Sequence, residues 1–531
     1  MKKGLVVYKL YRALSYGFSP LVHLHLRWRR FLGLEHPLRW PERLGHPSQA
    51  RRPGPLLWFH AVSLGEGMIA IPVIKHCIRR MPHLNVLMTV TTMSALEAIA
   101  ENCCLAHAES FDTTYKDGAI FSPVDTPTSI HSFLEYWKPN AIVLMESELW
   151  PNLIMDASRN GITLALLNAR MSEKSFKYWS GLVLLPLISL MLSKFSLIVP
   201  LSTEQGIRFQ LLQAPPYIIN FSGDLKYVIE DFGVNERGRR NIENLRIQLT
   251  QKQVWMASSI HRGEEEIILG VHFALMQQQP NIMTIIVPRH LQQGREIARV
   301  SFLSYILWKH VVVSAVISHR KNSHSMQSNT KLEKEGQNVL LRSQYEKFKP
   351  GTNIYVVDTL GELRQLYTLT PIAVIGGSLL PGLTGHNISE AAAAGCAVLT
   401  GCHVGHFSHM VLEMQRSNPL SVLQVSGKLE LEKALLELFT DATLLDARRR
   451  ASKEVFSSLS CCIVENLEEC DCHMLHLFKS SDVNIYFGKS VCFRTSSLLA
   501  HTNNIRPPVG SYRFAGGFEF LLTRTTNLLL P

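Results

Sequence analysis

What most limits the fold open to this 531-residue chain is a repeated beat of apolar run, polar turn and helical stretch. The runs in the first half are PLLWFHAV (55–62), LNVLMTVTT (84–92), NAIVLMES (140–147), ITLALLNA (162–169) and SLIVPLS (196–202). Those in the second half are QVWMASS (253–259), NIMTIIVP (281–288), NIYVVDT (353–359), IAVIGGS (372–378) and AVLTG (397–401). Short runs rich in Val, Ile and Leu, apolar throughout rather than alternating, suit strands buried on both faces of a parallel sheet. Helix-like stretches between them supply the crossovers. The reading is α/β, with two doubly wound, Rossmann-like domains facing a central cleft. The expected boundaries are 50–215 for the first domain, 216–250 for a linker and 251–455 for the second. A helix from 461 and a weakly structured tail from about 480 complete the chain. Residues 319–338 read as a polar surface loop, and 181–192 as a buried helix too short to span a bilayer.

Nearly every short polar motif comes just after a strand. Ser63 and Glu66 follow the first run; Glu146, Ser147 and Glu148 the third; Asn168 and Arg170 the fourth. Gly223, Asp224 and Lys226 follow IINF, Ser258, Ser259 and His261 follow QVWMA, and Arg289 and His290 follow TIIVP. Asp358, Thr359 and Gly361 follow IYVV, and Gly376 and Gly377 follow IAVI. One such motif alone is what loops use anyway. A series of them on both domains points to one cleft, because ligands of doubly wound sheets bind at the carboxyl ends of the strands.

In HAVSLGEG (60–67) a carboxylate stands between two glycines at a helix start. The helix dipole favours the ionised form of Glu66, and an ionised carboxylate facing a cleft accepts a proton from a hydroxyl. Gly65 and Gly67 would leave room for the owner of that hydroxyl. In GGSLLPGLTGHNISEAAAAGCAV (376–398) glycines follow a strand, then Asn387, Ser389 and Glu390 open an Ala-rich helix. Backbone N–H groups at such an end would hold a phosphate, Glu390 would accept ribose hydroxyls, and Arg289 would supply countercharge. The glycines do not follow GxGxxG, so no NAD fingerprint is present.

The composition, 46% hydrophobic and 18% charged, is that of ordinary globular cores. Ten scattered cysteines form no CxxC pair, so neither a disulfide framework nor a zinc site is expected, the Cys470–Cys472–His473 knot included. The net charge of +11 is concentrated: residues 1–52 carry eleven Lys or Arg against Glu35 and Glu42, a net +9. With the long apolar stretch 4–26 and RWRR directly after it, this end favours a membrane surface over nucleic acid. Lys9, Arg12 and Pro20 inside the stretch weaken a full span. An N-terminal membrane-anchor helix over 1–30 is expected, with a helix docked on the first domain as the alternative.

Taken together and in order, HAVSLGEG, MESELWPN, LNARMS, GDLKY, ASSIHRGEEE, VPRH, DTLGEL and GGS…GHNISEAA resemble the bacterial 3-deoxy-D-manno-octulosonic acid (Kdo) transferases of lipopolysaccharide synthesis. The match runs from the N-terminal stretch to about residue 455. The resemblance implies a GT-B glycosyltransferase at the cytoplasmic face of the inner membrane. The implied donor is CMP-Kdo and the acceptor a lipid A precursor, with inversion at the anomeric centre and no metal or cofactor. It further implies Glu66 as general base, with Glu146 and Lys226 stabilising the transition state. Pro288, Arg289 and the Leu360–Gly361–Glu362 turn would contact CMP, and Asn387, Ile388, Ser389 and Glu390 would close round the nucleotide. The chain departs from the family's GGHNPLEPA with LTGHNISEA, and its last fifty residues have no counterpart in the pattern.

Overall fold

All ten apolar runs are strands in the computed structural model, which describes residues 2–93, 95–97, 99, 119–220, 223–228, 236–301, 303–304, 339–344, 351–359 and 361–477. The expected loop 319–338, the tail from 480 and the side chains of Cys470, Cys472 and His473 lie outside the described residues. The first sheet holds β1 (Leu56–His60), β2 (Asn85–Val90), β3 (Ile120–Phe121), β4 (Ala141–Met145), β5 (Thr163–Ala169) and β6 (Leu197–Pro200). The second holds β7 (Gln253–Ile260), β8 (Ile282–Pro288), β9 (Val339–Leu341), β10 (Ile354–Val356), β11 (Ile372–Ile375), β12 (Ala397–Gly401) and β13 (Val422–Val425). The described pairings are all parallel. Every residue of β1, β4, β8 and β12 is buried, as expected of strands covered by helices on both faces.

The strand orders matter for function. The first sheet runs β3-β2-β1-β4-β5-β6 and the second β13-β12-β11-β7-β8-β10-β9. The winding therefore reverses between β1 and β4 in one sheet and between β11 and β7 in the other. Those two reversal points are where a doubly wound sheet opens a crevice at its carboxyl edge.

The two lobes are stitched by Gly223–Val228. Asp224 is almost fully buried and its Oδ2 lies 2.9 Å from His409 Nε2, at the start of the helix Ser408–Ser417. Ser389 Oγ donates to the Lys226 carbonyl at 2.9 Å, and Tyr227 OH donates to the Met410 carbonyl at 3.4 Å. A Cβ on Gly223, whose φ is +94°, would stand 3.0 Å from Ile463. Ile463 belongs to the long helix Ala442–Leu477.

The N-terminal stretch is not the single helix expected over 1–30. It is two helices, α1 (Lys2–Gly17) and α2 (Ser19–Phe31), and no helix among the described residues is long and apolar enough to cross a membrane. One face of α1 is part of the first lobe. Tyr8 is fully buried, Arg12 Nη1 reaches Asp156 at 2.6 Å, and Tyr11 OH donates to Asp125 at 2.9 Å. Gly4 packs so closely on the Pro186 carbonyl that a Cβ would collide with it. Arg12, which argued against a span, is thus held inward by a carboxylate. The opposite face is apolar and exposed: Val6, Leu10, Leu14, Leu21, Leu24, Trp28 and Phe31 all stand in solvent. Within 181–192 the helix Leu185–Leu192 is buried as expected, whereas Leu182 and Val183 ahead of it are exposed.

Candidate active site

Glu66 is built by the start of α3 (Leu64–Arg80). Ser63 caps this helix, its Oγ accepting from the Glu66 N–H at 3.3 Å. The Glu66 carboxylate turns back, taking Ser63 Oγ–H at 3.0 Å and the Val62 N–H at 2.7 Å. This is a capping-box arrangement, written as S-x-x-E in the sequence. Burial pushes the Glu66 carboxyl up from its usual range and the nearby Glu146 pushes it further, against the pull of the Val62 N–H. The helix-dipole expectation of an easily ionised group is therefore outweighed by desolvation. The flanking glycines divide. Gly65 is exposed, and a Cβ there would meet only Ser63 Oγ, at an ordinary 3.9 Å, whereas a Cβ on Gly67 would meet Ile99 at 2.3 Å. Only Gly65 leaves room beside the carboxylate.

Across the reversal point, Glu146 directly follows β4. Its φ of +52° is a strained conformation for a residue with a side chain, and Asn168 near the end of β5 shares it at +51°. Lys226 Nζ lies 2.6 Å from Glu146 Oε1, and Arg170 Nη1 lies 3.6 Å from Oε2. Asn168 Oδ1 accepts from the Leu225 N–H at 2.9 Å, so the strained residue fixes the turn that carries Lys226. Burial works to discharge the Lys226 ammonium, but Asp224 and Glu146 outweigh it and hold its pKa up. Asp224, despite burial that opposes ionisation, is drawn down to about 2 by Lys226 and His409. The Phe407 ring lies 5.5 Å from Lys226 Nζ, a cation–π contact from the second lobe.

Glu148 is a third carboxyl in this group. Trp150 Nε1 donates to it at 2.8 Å. Burial, then the charge of Glu66, raises it to about 7. Among the described residues neither Glu66 nor Glu148 has a cation within ion-pair distance. The Trp150 ring lies edge-on to His60, 4.6 Å between centroids. His60 is itself wholly buried, its Nδ1 2.8 Å from Thr89 Oγ1.

The second lobe presents imidazoles and a guanidinium. His261 follows β7, Arg289 and His290 follow β8, and His386 lies in the loop after β11. His261 Nε2 and His386 Nε2 are 2.7 Å apart. The loop is fixed by Glu264, fully buried at the start of the helix Glu264–Gln278. Its two oxygens accept four backbone N–H groups, from His261, Gly377, Ser378 and Leu379, at 2.7–2.9 Å. The Gly377, Ser378 and Leu379 N–H groups thus hold the protein's own carboxylate, while the Gly376 N–H donates to the Ser258 carbonyl at 2.8 Å.

The remaining expected contacts are distributed as follows. Pro288 is buried at the end of β8 and Arg289 is exposed beyond it. Glu362 pairs with Arg342 at 2.7 Å, and Gly361 beside it has φ +81°. Leu360 lies outside the described residues. Asn387 Oδ1 accepts the Ser389 N–H at 3.0 Å, and Glu390 pairs with Arg364 at 2.9 Å. The side chain of Ile388 is in the hydrophobic core, so only its backbone is available to a ligand. The Ala-rich helix is five residues long, Ser389–Ala393. The structure brings Glu66, Glu146 and Lys226 together, and the Lys226 carbonyl joins them to Ser389, next to Glu390. Sequence reading gave no role to Glu264, His386 or His409. GEEE after a strand held a signal for the first and the turn GHN for the second, whereas His409 carries none.

An α/β fold with two parallel sheets of this kind resembles the GT-B glycosyltransferases. A solved structure of UDP-GlcNAc 2-epimerase from Neisseria meningitidis bound to UDP-GlcNAc superposes with a TM-score of 0.50 at 12% identity, covering 78% of this chain and 100% of that one. Residues 38–229 match the family model described as 3-deoxy-D-manno-octulosonic-acid transferase (kdotransferase). The chain is 56% identical to a probable mitochondrial 3-deoxy-D-manno-octulosonic acid transferase of Arabidopsis thaliana, over 92% of this chain and 98% of that protein. It is 30% identical to the 3-deoxy-D-manno-octulosonic acid transferase of Haemophilus influenzae, over 78% of this chain and 87% of that one. The chain belongs to the Kdo transferase family, and it is a glycosyltransferase acting on Kdo.

Proposed function

We propose that the enzyme moves Kdo from CMP-Kdo to a hydroxyl of a lipid A-type precursor, with inversion, with Glu66 as general base and without a metal ion. The observation that carries this reading is the grouping of three carboxyls, Glu66, Glu146 and Glu148, about Lys226 at one reversal point, with the Arg289 guanidinium and imidazoles at the other. Sugar transfer passes through an oxocarbenium-like state. Carboxylates favour the positive charge growing on the sugar, and cations favour the negative charge growing on the departing phosphate. Burial raises the proton affinity of the Glu66 carboxyl, which strengthens it as a proton acceptor. Lys226, held charged between Asp224 and Glu146, stands where the lobes meet. Arg289 and the histidines of the second lobe lie on the side assigned to the nucleotide. Pro288, Gly361, Glu362 and Asn387 to Glu390 are proposed as its further contacts.

The acceptor would lie at a membrane surface. The exposed apolar faces of α1 and α2, flanked by the +9 segment 1–52, suit a monotopic attachment to an anionic bilayer. The bacterial resemblance assigns the cytoplasmic face of the inner membrane. The plant relative's name carries the word mitochondrial, which makes an organellar membrane the competing location for subcellular fractionation to decide.

The test is to supply the full chain with CMP-Kdo, generated in situ, and a tetraacylated lipid A precursor, and to weigh the lipid product by mass spectrometry. Addition of Kdo, unchanged by EDTA, is the expected result. Folded protein that transfers nothing from CMP-Kdo overturns the donor and acceptor assignment. Turnover of UDP-sugars in a parallel reaction moves the enzyme to another donor.

A further inference from the structure

We propose that His261 and His386 form a proton-coupled oxyanion subsite at the reversal point of the second sheet, taking an acidic group of the donor. The inference rests on the proposed reaction in assigning that acid to a sugar nucleotide. His261 stands after β7 and His386 after β11, so the pair straddles the place where the winding changes direction. Their rings are nearly parallel, 16° apart with centroids 5.0 Å apart, and the Nε2 atoms meet at 2.7 Å. A Cβ on Gly377, at φ +66°, would fall 2.5 Å from His386 Cδ2, so only glycine leaves the ring its place.

A nitrogen–nitrogen distance of 2.7 Å requires a proton between the rings, one nitrogen donating and the other accepting. It does not suit a shared metal, because two nitrogens bound tetrahedrally to one zinc stand about 3.3 Å apart. The groups facing the pair are Arg289 and His290 from the β8 loop and Glu264 from the following helix. The two from β8 oppose further positive charge. The carboxylate of Glu264 is turned to four backbone N–H groups. Burial first, then Arg289, holds His386 down at about 4, and burial lowers His261 as well. The pair is therefore neutral at pH 7 in the empty protein, beneath a guanidinium with no carboxylate within ion-pair distance among the described residues.

An arriving phosphate or carboxylate reverses this balance. One added proton leaves the Nε2 bridge intact as N–H⁺···N and gives the pair a net charge that the oxyanion stabilises. Binding and protonation thus assist each other, as linkage requires.

The test is calorimetric titration of the full chain at pH 7 with CMP, free Kdo or inorganic phosphate, each in two buffers of different ionisation enthalpy. The expected result is uptake of up to about one proton per oxyanion bound. In His386→Gln and in His261→Gln that uptake is lost and affinity falls about tenfold or more, about 1.4 kcal/mol. The melting temperatures of both variants are checked against the parent. Uptake with CMP and phosphate assigns the subsite to the phosphate, whereas uptake with Kdo alone assigns it to the sugar acid. Histidine-dependent binding of phosphate without binding of CMP keeps the subsite and sinks the cytidylate donor. Absence of proton uptake with all three ligands, or unchanged binding in both folded variants, overturns the inference.

Discussion

Each lobe places a glutamate in the first turn of the helix that follows the first strand of its sheet, and the two have become different objects. Glu66 is partly exposed and its carboxylate accepts one N–H and one O–H. Glu264 is fully buried and accepts four backbone N–H groups. A carboxylate saturated by amides is a structural bolt. One with lone pairs still open, raised by burial and by Glu146, is free to serve as the base proposed above. Position in the fold brings a carboxylate to the crevice, and its neighbours decide what it does there. The same holds for the lobes as wholes, with carboxylates at one reversal point and imidazoles and a guanidinium at the other.

The sharpest way to break this comparison is to make the same change in both. Glu66→Gln removes the proton acceptor while keeping the shape. Transfer should fall about 10²–10⁴-fold, the range general-base catalysis contributes, with CMP affinity and melting temperature close to the parent's. Glu264→Gln should do the reverse. An amide NH₂ must face N–H groups that now lack an acceptor, which costs about 1–3 kcal/mol for each unsatisfied partner, read as a lowered denaturation midpoint. Near-normal turnover in Glu66→Gln, or undiminished stability in Glu264→Gln, would remove the distinction between base and bolt.

A second contrast lies within α1. Tyr8→Ala empties a fully buried position and should cost about 3–5 kcal/mol, the range for large aromatic truncations. Leu10→Asp and Leu14→Asp alter only the exposed face. They should leave the melting temperature unchanged while releasing protein from anionic vesicles in a flotation assay. Truncating the N-terminus would confuse the two roles, since the inner face completes the first lobe. Vesicle binding undisturbed by both aspartates would place the membrane contact elsewhere.

The sequence made the strands legible because burial on both faces requires unbroken apolar runs. β3, β9 and β13 escaped because they are short edge strands, two to four residues long, and β13 is only half buried. Glu66 was legible through its place between two glycines at a helix start, Glu146 and Lys226 through family resemblance. Illegible were the partnerships. His409 meets Asp224 across 185 residues, and His386 meets His261 across 125. No local pattern encodes such a pairing. The two faces of α1 were equally hidden. The apolar run and the basic charge around it suggested an anchor, but which face docks depends on Asp156 and Pro186, far along the chain.

The smallest effect tests the first lobe from inside. Glu148, raised to about 7 by burial and by Glu66, shares its surroundings with the base, so the two carboxyls titrate as a coupled pair. Ionising one opposes ionising the other. The proposed base must be deprotonated to work, so the rate falls as pH drops through the pair's apparent pKa values. Glu148→Gln removes one of the two negative charges. With less repulsion Glu66 gives up its proton more readily, and the acid limb of the kcat/KM profile should move to lower pH, by up to about one unit, or about 1.4 kcal/mol. The same substitution in the second lobe's vicinity, at Glu265, has no such partner and should leave the limb in place. A limb that stays fixed in Glu148→Gln would mean that Glu66 titrates alone and that the carboxyls of this lobe do not act as a set.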